Sequence, residues 1–165
     1  MRTLGMVLVG AVLTASGTNL PAAEGDLSGS LAFPVRSGNA GFYDDGRGLA
    51  IVLSDQAVPV GGACAPYDEP VFAPRLYIFV SLAGGAQAGE FPIGENGDQP
   101  SAELVWGMSE GAELSDLGGD AGTGKVTIGT MGDGSLSGSF AWSVDVPDGS
   151  VMSLSGTFSV PVCNH

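Results

Sequence analysis

The residues of this chain that could do chemistry are two cysteines, one histidine and 18 aspartates and glutamates, set against five lysines and arginines. A Ser-His-Asp site requires an imidazole held firmly by the fold. The single histidine is His165, at a position where fraying is expected. The segment Gly134–Gly138 (GSLSG) has the glycine spacing of a nucleophile elbow, but Leu136 occupies the place of the nucleophile. These observations argue against serine-hydrolase chemistry and leave carboxylates and thiols.

The two cysteines are Cys64 and Cys163. An even number of cysteines in an exported protein favours a disulfide, and export is indicated below. Two thiols and one histidine are too few ligands for a closed zinc site, which needs four. We predict a Cys64–Cys163 disulfide, with free thiols as the alternative. It would close a loop of about 100 residues and contribute about 4–5 kcal/mol through chain entropy.

The acidic residues allow two kinds of site. A glycosidase-like hydrolase needs two carboxylates a fixed distance apart across a cleft, and the candidates are Glu90, Glu103, Glu110 and Glu113. Calcium takes six to eight oxygen ligands, and two oxygen-rich clusters are weak candidates for it. These calcium candidates are Glu95 and Asp98 in one cluster, and Glu113, Asp116 and Asp120 in the other. No EF-hand spacing occurs, and ordinary solvated acidic turns are the main interpretation, so we expect no cofactor.

The net charge of −13 limits the partners. Nucleic acids are bound through lysines and arginines that neutralise phosphates, and anionic lipids attract the same residues. We therefore expect no nucleic-acid partner, and a glycan or a protein is the remaining possibility. Tyr43 and Tyr67, in acidic loops, are the surface aromatics for stacking on a sugar. Phe140, Trp142 and Phe158 are expected in the core.

The N-terminal segment has the features of a secretory signal peptide. Within Met1–Gly17, a basic residue precedes the uncharged apolar run Leu4–Leu13, small residues follow, and a second candidate cleavage site ends at Ala23. This run is too short to span a bilayer as a helix. Ser16 stands where a bacterial lipoprotein has its lipidated cysteine. We predict that residues 1–23 are a signal peptide and processing region, and that the exported protein is periplasmic or extracellular, without a lipid anchor or a transmembrane segment in the mature protein.

Residues 24–165 have the length and composition of a single all-β domain, with 28 glycines and only 14% charged residues. Period-two alternation is clearest at the C-terminal end, where apolar and serine-rich positions alternate along 135–146 and 151–162. With Gly124–Thr130, these segments predict a three-strand antiparallel meander. The whole pattern predicts about eight to nine short strands in an antiparallel β-sandwich or flattened barrel.

The other segments fit this architecture less regularly. Predicted strands are Leu27–Phe33, Asn39–Tyr43, Leu49–Ser54, Arg75–Leu82, Glu90–Ile93 and Ala102–Met108. Arg75–Leu82 (RLYIFVSL) is the most hydrophobic and is expected to be central. The acidic, glycine-rich segment Gly111–Gly122 is predicted to be a loop or a ragged hairpin tip. The sequence Ser-Gly-Ser/Thr-Phe occurs at Ser137–Phe140 and Ser155–Phe158, which suggests two paired strands with similar packing needs.

Several of these segments also occur in a recurring order: Ala88–Gly94 (AGEFPIG), Lys125–Gly129 (KVTIG), Leu136–Phe140 (LSGSF) and Leu154–Val162 (LSGTFSVPV). Over roughly residues 74–163 the chain thereby resembles uncharacterised bacterial envelope proteins, many of them lipoproteins. The resemblance implies an exported all-β domain and transfers no catalytic residue.

From these observations we expect a non-catalytic exported β domain with a structural, adhesive or binding role in the bacterial envelope or outside the cell. Two alternatives remain open. One is a carboxylate-dependent, glycosidase-like hydrolase, and the other is a calcium-stabilised binding module.

Overall fold

The computed structural model describes residues 23–43, 47–57, 64, 74–82, 88–94, 100–110, 113–119, 122–132, 134–146 and 148–163. Within these ranges the regular structure is entirely β, as the sequence predicts. The strands, in chain order, are β1 (Glu24–Gly29), β2 (Ser37–Tyr43), β3 (Gly48–Ser54), β4 (Arg75–Ser81), β5 (Gly89–Ile93), β6 (Ser101–Glu110), β7 (Glu113–Gly119), β8 (Gly122–Gly132), β9 (Ser135–Asp145) and β10 (Val151–Cys163).

Eight of these strands close into a barrel. Hydrogen bonds link neighbours in the circular order β10, β2, β3, β4, β6, β5, β8, β9 and back to β10. The barrel consists of two antiparallel meanders, which we call the first half (β2, β3, β4 and β6) and the second half (β5, β8, β9 and β10). The other two strands lie outside this circuit, with β1 paired to β10 and β7 paired to β6.

The two halves meet at two parallel seams. One seam joins β5 to β6 at Ile93 and Ala102. The other joins β10 to β2, where Val162–Cys163 lies beside Ala40–Gly41. Away from each seam, the same edge of β6 pairs with β7, and the same edge of β10 pairs with β1. Each outer strand therefore covers backbone hydrogen-bonding groups that the seam leaves unpaired, as a sheet edge requires.

Apolar side chains fill the barrel interior, as expected for eight strands. Among the described residues, one cluster of 23 buried hydrophobic side chains forms this core. The buried members from strands of the first half are all aliphatic, with Leu49, Ile51, Leu76 and Ile78 fully inaccessible. Strands of the second half add four buried aromatic side chains, which are Phe91, Phe140, Trp142 and Phe158.

The buried aromatic side chains of β9 and β10 lie directly opposite glycines. The pairs are Phe158 with Gly138, Phe140 with Gly156, and Trp142 with Gly124. A Cβ atom at Gly138 would overlap the Phe158 ring and the carbonyl oxygen of Thr127. Glycine at position 138 therefore leaves the space that the Phe158 ring occupies. The recurring Ser-Gly-Ser/Thr-Phe sequences do lie on two paired strands.

The structure confirms the C-terminal meander and, of the two predicted architectures, the barrel. β8, β9 and β10 pair antiparallel in sequence order, with the predicted apolar face inward. The sandwich alternative is wrong, because the two parallel seams close the sheet on itself. Eight strands form the barrel, and the ten strands described are close to the predicted eight to nine.

Two predicted elements differ locally. Segment Gly111–Gly122 is predicted as a loop or hairpin tip, and most of it forms β7, because the free edge of β6 offers it a hydrogen-bonding partner. The first strand ends at Gly29 rather than Phe33. Gly29 has φ = 116°, a conformation that suits glycine, and the chain turns there, with the Ala32 amide donating to the Gly29 carbonyl at 3.3 Å.

The predicted disulfide between Cys64 and Cys163 is present. Its Cα atoms lie 5.6 Å apart, and the two residues are separated by 99 positions in sequence. Cys163 ends β10 at the parallel seam with β2, and Cys64 lies in the connection between β3 and β4. The disulfide therefore links the first half of the barrel to the last strand of the second.

Candidate functional site

The outer surface of the first half carries apolar and aromatic side chains, which we call the aromatic face. Along each strand, alternate residues point away from the core, and the outward positions of adjacent strands form rows across the sheet. One row contains Ala50 and Phe79, and the next contains Val52, Tyr77 and Val105. With Tyr43, the aromatic face comprises Tyr43, Ala50, Val52, Tyr77, Phe79 and Val105.

Two aromatic rings on β4 form the centre of this face. Tyr77 and Phe79 are two residues apart and therefore point to the same side of the strand. Their ring centroids lie 6.3 Å apart, and the ring planes are within 4° of parallel. Both side chains are half-buried. The tyrosine hydroxyl accepts a hydrogen bond from Arg75 Nη1 at 3.3 Å, which fixes the position of the phenol ring.

Tyr43 extends the aromatic face towards the other end of the barrel. It is 46% exposed and ends β2, opposite Gly48 of β3. A Cβ atom at Gly48 would overlap the tyrosine ring, so the ring lies across the glycine. Phe79 lies on the neighbouring strand β4, two residues from Ser81, which pairs with Gly48. Aromatic side chains thus lie on β2 and β4, on either side of β3.

A buried polar cluster borders the aromatic face at the opposite end. Ser37, Ser54 and Arg75 occupy one row across β2, β3 and β4 and are all buried. Gln56 folds back over this row. Its backbone carbonyl accepts from Ser37 Oγ at 2.7 Å, its amide donates to Ser54 Oγ at 3.0 Å, and its Oε1 accepts from Arg75 Nη2 at 3.1 Å. These bonds compensate the burial of the polar groups and position Arg75 beside Tyr77.

The outer surface of the second half is different in kind. Its outward residues on β8, β9 and β10 are mainly serine and threonine, and we call this surface the hydroxyl face. Cross-strand hydroxyl pairs occur there, with 3.1 Å between Thr123 Oγ1 and Ser143 Oγ and 3.0 Å between Ser28 Oγ of β1 and Ser155 Oγ. No aromatic side chain is found at the outward positions described on these three strands.

One open groove lies on the second half, and another lies where the β8–β9 turn meets β2 of the first half. A groove of about 370 Å³ runs beside β1 and β10, where Glu24, Asp26 and Thr157 line it. A smaller one, of about 220 Å³, lies at the β8–β9 turn and is lined by Phe42, Met131 and other residues. Neither groove contains an aromatic pair or a hydrogen-bonded polar cluster like those of the first half.

The predicted calcium ligands fall in different places. Glu95, Asp98 and Asp120 lie outside the described residues. Glu113 and Asp116 are on β7, where Glu113 pairs with Glu110 and Asp116 pairs with Gly107. In the described parts of the chain, no three His, Cys, Asp or Glu residues come together in a way that could hold a metal ion.

The four carboxylates considered for hydrolysis are dispersed over several strands. Glu90 is on β5, where its Oε1 accepts from Lys125 Nζ at 2.8 Å. Glu103 is exposed on β6, directly opposite Phe79. Glu110 and Glu113 are paired across the β6–β7 hairpin. The structure thus places Glu103 beside the aromatic face and ties Glu90 to a lysine.

The predictions for aromatic residues were partly correct. Phe140, Trp142 and Phe158 are in the core, as predicted. Tyr43 is exposed, also as predicted, whereas Tyr67 lies outside the described residues. Sequence reasoning missed Tyr77 and Phe79. The signal was present in RLYIFVSL, where Tyr77 and Phe79 point to one side of the strand and Leu, Ile and Val point to the other. A strand that is buried on both sides has the same pattern, so the sequence alone is ambiguous.

Comparisons of the chain with protein-family models, with curated proteins and with solved structures found no match. Among the residues described, no helix is long and apolar enough to cross a membrane.

Proposed function

We propose that this protein is an exported, non-catalytic β domain that binds a partner, or adheres to a surface, through its aromatic face. The observation that carries the proposal is the outward placement of Tyr43, Tyr77 and Phe79 on a barrel whose core is already filled by other side chains. Aromatic residues are enriched at the centres of binding interfaces, because they offer a large contact area at a small cost in conformational entropy.

The contrast with the hydroxyl face supports this proposal. Both faces are outer surfaces of strands in the same barrel, so neither composition is imposed by the core. Serine and threonine cover the second half, which shows that this chain can cover an outer sheet face without aromatic side chains. Half-buried Tyr77, Phe79, Val52 and Val105 form a contiguous apolar patch, a feature that marks interaction sites on proteins.

Export is supported by two separate features. The disulfide is compatible with an oxidising compartment, and the N-terminal sequence has the features of a signal peptide. We place the working protein in the periplasm or outside the cell, without a lipid anchor.

The proposal is tested by retention on bacterial envelope fragments. Fluorescently labelled protein, residues 24–165, is mixed with sedimented fragments and its bound fraction is measured. We expect wild-type protein to be retained and a Tyr77→Ser/Phe79→Ser variant to be released. Ser139→Ala/Ser155→Ala, on the hydroxyl face, is the control and should be retained. Equal retention of all three proteins, or of none, would contradict the proposal, provided that circular dichroism shows each variant folded.

A further inference from the structure

We infer that the ligand of the aromatic face is a neutral polysaccharide, bound along β4 with its sugar rings packed on Tyr77 and Phe79. This inference rests on the proposed binding role of that face and adds the chemical class of the ligand. It follows from the charge of the face and its surroundings, the groups at its border, and the geometry of its rings.

Charge excludes several classes of ligand. The chain carries −13, so polyanions, anionic membranes and a second copy of the same chain are all repelled at long range. Within the described residues, Glu103 is the exposed ionised side chain in the rows of the aromatic face, whereas the exposed side chains of Arg36, which pairs with Asp55, and of Arg47 lie just outside those rows. The nearby guanidinium of Arg75 is buried beneath Gln56. A face with so little exposed charge matches an uncharged ligand better than a basic protein.

The groups at the border of the face suit hydroxyl-rich ligands. Ser81 and Ser101 occupy the outward row next to Phe79, and Asn39 occupies the row of Tyr77. Hydroxyl and amide groups both donate and accept hydrogen bonds, and the Glu103 carboxylate accepts them. Sugar hydroxyls do both as well. Charge-assisted bonds from sugar hydroxyls to Glu103 would be the strongest of these contacts.

The geometry of the rings suits a chain of sugar units. Tyr77 and Phe79 repeat along one extended strand with nearly parallel rings and 6.3 Å between centroids. The faces of aromatic rings carry negative partial charge and attract the positively polarised C–H groups on the faces of pyranose rings. The two rings lie in line along β4, and the Tyr43 ring lies to one side, across Gly48 of β3. A linear polymer that follows β4 can contact Tyr77 and Phe79 at once.

Leucine substitutions separate sugar stacking from general apolar contact. Tyr77→Leu and Phe79→Leu keep apolar bulk on the sheet and remove the aromatic ring. Loss of one stacking contact corresponds to a weakening of about tenfold or more in binding constant. Val151→Ala is the matched control, because Val151 is an apolar side chain, 63% exposed, at the start of β10 and away from the aromatic face.

The experiment measures binding isotherms on insoluble cellulose, chitin and β-1,3-glucan, with thermal unfolding to confirm that each variant is folded. We expect wild-type protein and Val151→Ala to bind at least one of these polysaccharides equally well, and each leucine variant to bind about tenfold more weakly or worse. Binding of the leucine variants at wild-type strength would overturn the inference.

Parallel measurements separate this inference from the proposed function. If wild-type protein binds no neutral polysaccharide, while its retention on envelope fragments still depends on Tyr77 and Phe79, the polysaccharide is the wrong ligand and the binding face stands. The protein could instead bind polylysine, phosphatidylglycerol vesicles or, in sedimentation, a second copy of itself. If such binding depends on Tyr77 and Phe79 and no polysaccharide is bound, the inferred ligand is wrong and the proposed binding role of the aromatic face is supported. If envelope retention does not depend on these residues, the proposed function itself fails.

Discussion

The two halves of the barrel differ in the chemistry of their outer surfaces. In the first half the buried strand side chains are aliphatic, Phe42 and Trp106 are half-buried against the core, and Tyr43, Tyr77 and Phe79 point outward. In the second half Phe140, Trp142 and Phe158 point inward, and the outward positions are mostly serine and threonine. Outward aromatic side chains are therefore a feature of the first half.

The difference shows what each arrangement requires. An inward ring needs space in a close-packed interior, and the second half provides it at Gly138 for Phe158 and at Gly122 for Trp142. An outward ring does not need space in the core, although the exposed Tyr43 ring also lies across a glycine, Gly48. Core packing therefore explains the buried aromatic residues of the second half and does not account for the outward ones of the first half, which we propose to bind a partner.

The largest predicted effect comes from removing the disulfide that links the two halves. Replacing both Cys64 and Cys163 with serine removes the only described covalent link between β10 and the first half. We expect the free energy of unfolding to fall by about 4–5 kcal/mol, because the unfolded chain regains the entropy of a loop of about 100 residues. Urea denaturation measures the change, and reduced wild-type protein should match the variant. An unchanged midpoint would show that the seams alone hold the halves together.

The next effect tests the pairing of glycine with aromatic residues in the second half. Gly138→Ala forces a Cβ atom into the Phe158 ring and the Thr127 carbonyl oxygen, and overpacking of this kind costs about 1–3 kcal/mol. Gly132→Ala, also in the second half, is the control, since a Cβ there meets nothing within 4 Å. Thermal unfolding compares the two. Equal stability would mean that the space opposite Phe158 is not limiting.

A smaller effect compares the polar contacts of the two outer faces. Gln56→Ala removes the side-chain oxygen that accepts a hydrogen bond from buried Arg75, and we expect a loss of about 1–2 kcal/mol. Glu90→Gln breaks the exposed ion pair with Lys125, in which both side chains are more than half exposed, and should cost about 0–1 kcal/mol. Denaturation in low and high salt measures both. A salt-sensitive, larger loss for Glu90→Gln would reverse the comparison.

The smallest effect lies in the β9–β10 turn of the second half. The Asp148 carboxylate accepts from Ser150 Oγ at 2.6 Å and from the Ser150 amide at 2.8 Å, and these bonds lower the pKa of Asp148 below its usual 3.8. The resulting stabilisation is present above the pKa of the unfolded chain and disappears as the pH falls through the lowered value. Ser150→Ala should move the Asp148 pKa back towards 3.8. An NMR titration measures it, and an unchanged pKa would show that the amide alone is responsible.

The sequence predicted the second half better than the first, for a physical reason. Serine alternates with apolar residues along β9 and β10, so the period of two identifies both the strands and their inward faces. In β4 every position from Leu76 to Val80 is hydrophobic. Alternation in polarity is absent there, so an outward Tyr77 could not be distinguished from a buried one.

Barrel closure and the strand β7 could not be predicted from local sequence patterns. Each seam depends on one or two residue pairings, such as Ile93 with Ala102, and nothing in the local sequence of either strand indicates its partner. β7 has an acidic, glycine-rich sequence with low strand propensity, and it is a strand because β6 offers an open edge. For the candidate site, surface exposure of Tyr43 was predicted from its place beside an acidic turn. The outward position of Tyr77 and Phe79 became clear only from the register of β3, β4 and β6.

β10 has a consequence for how the protein is made. It pairs with β9, β1 and β2 and carries Cys163, so the strand that comes last in sequence among those described completes the contacts of the first. During synthesis, β1 and the edge of β2 that pairs with β10 have no hydrogen-bonding partner until β10 has been synthesised. Contacts so distant in sequence slow folding. A chain that cannot close its barrel early stays unfolded for longer, which is compatible with the export that we propose.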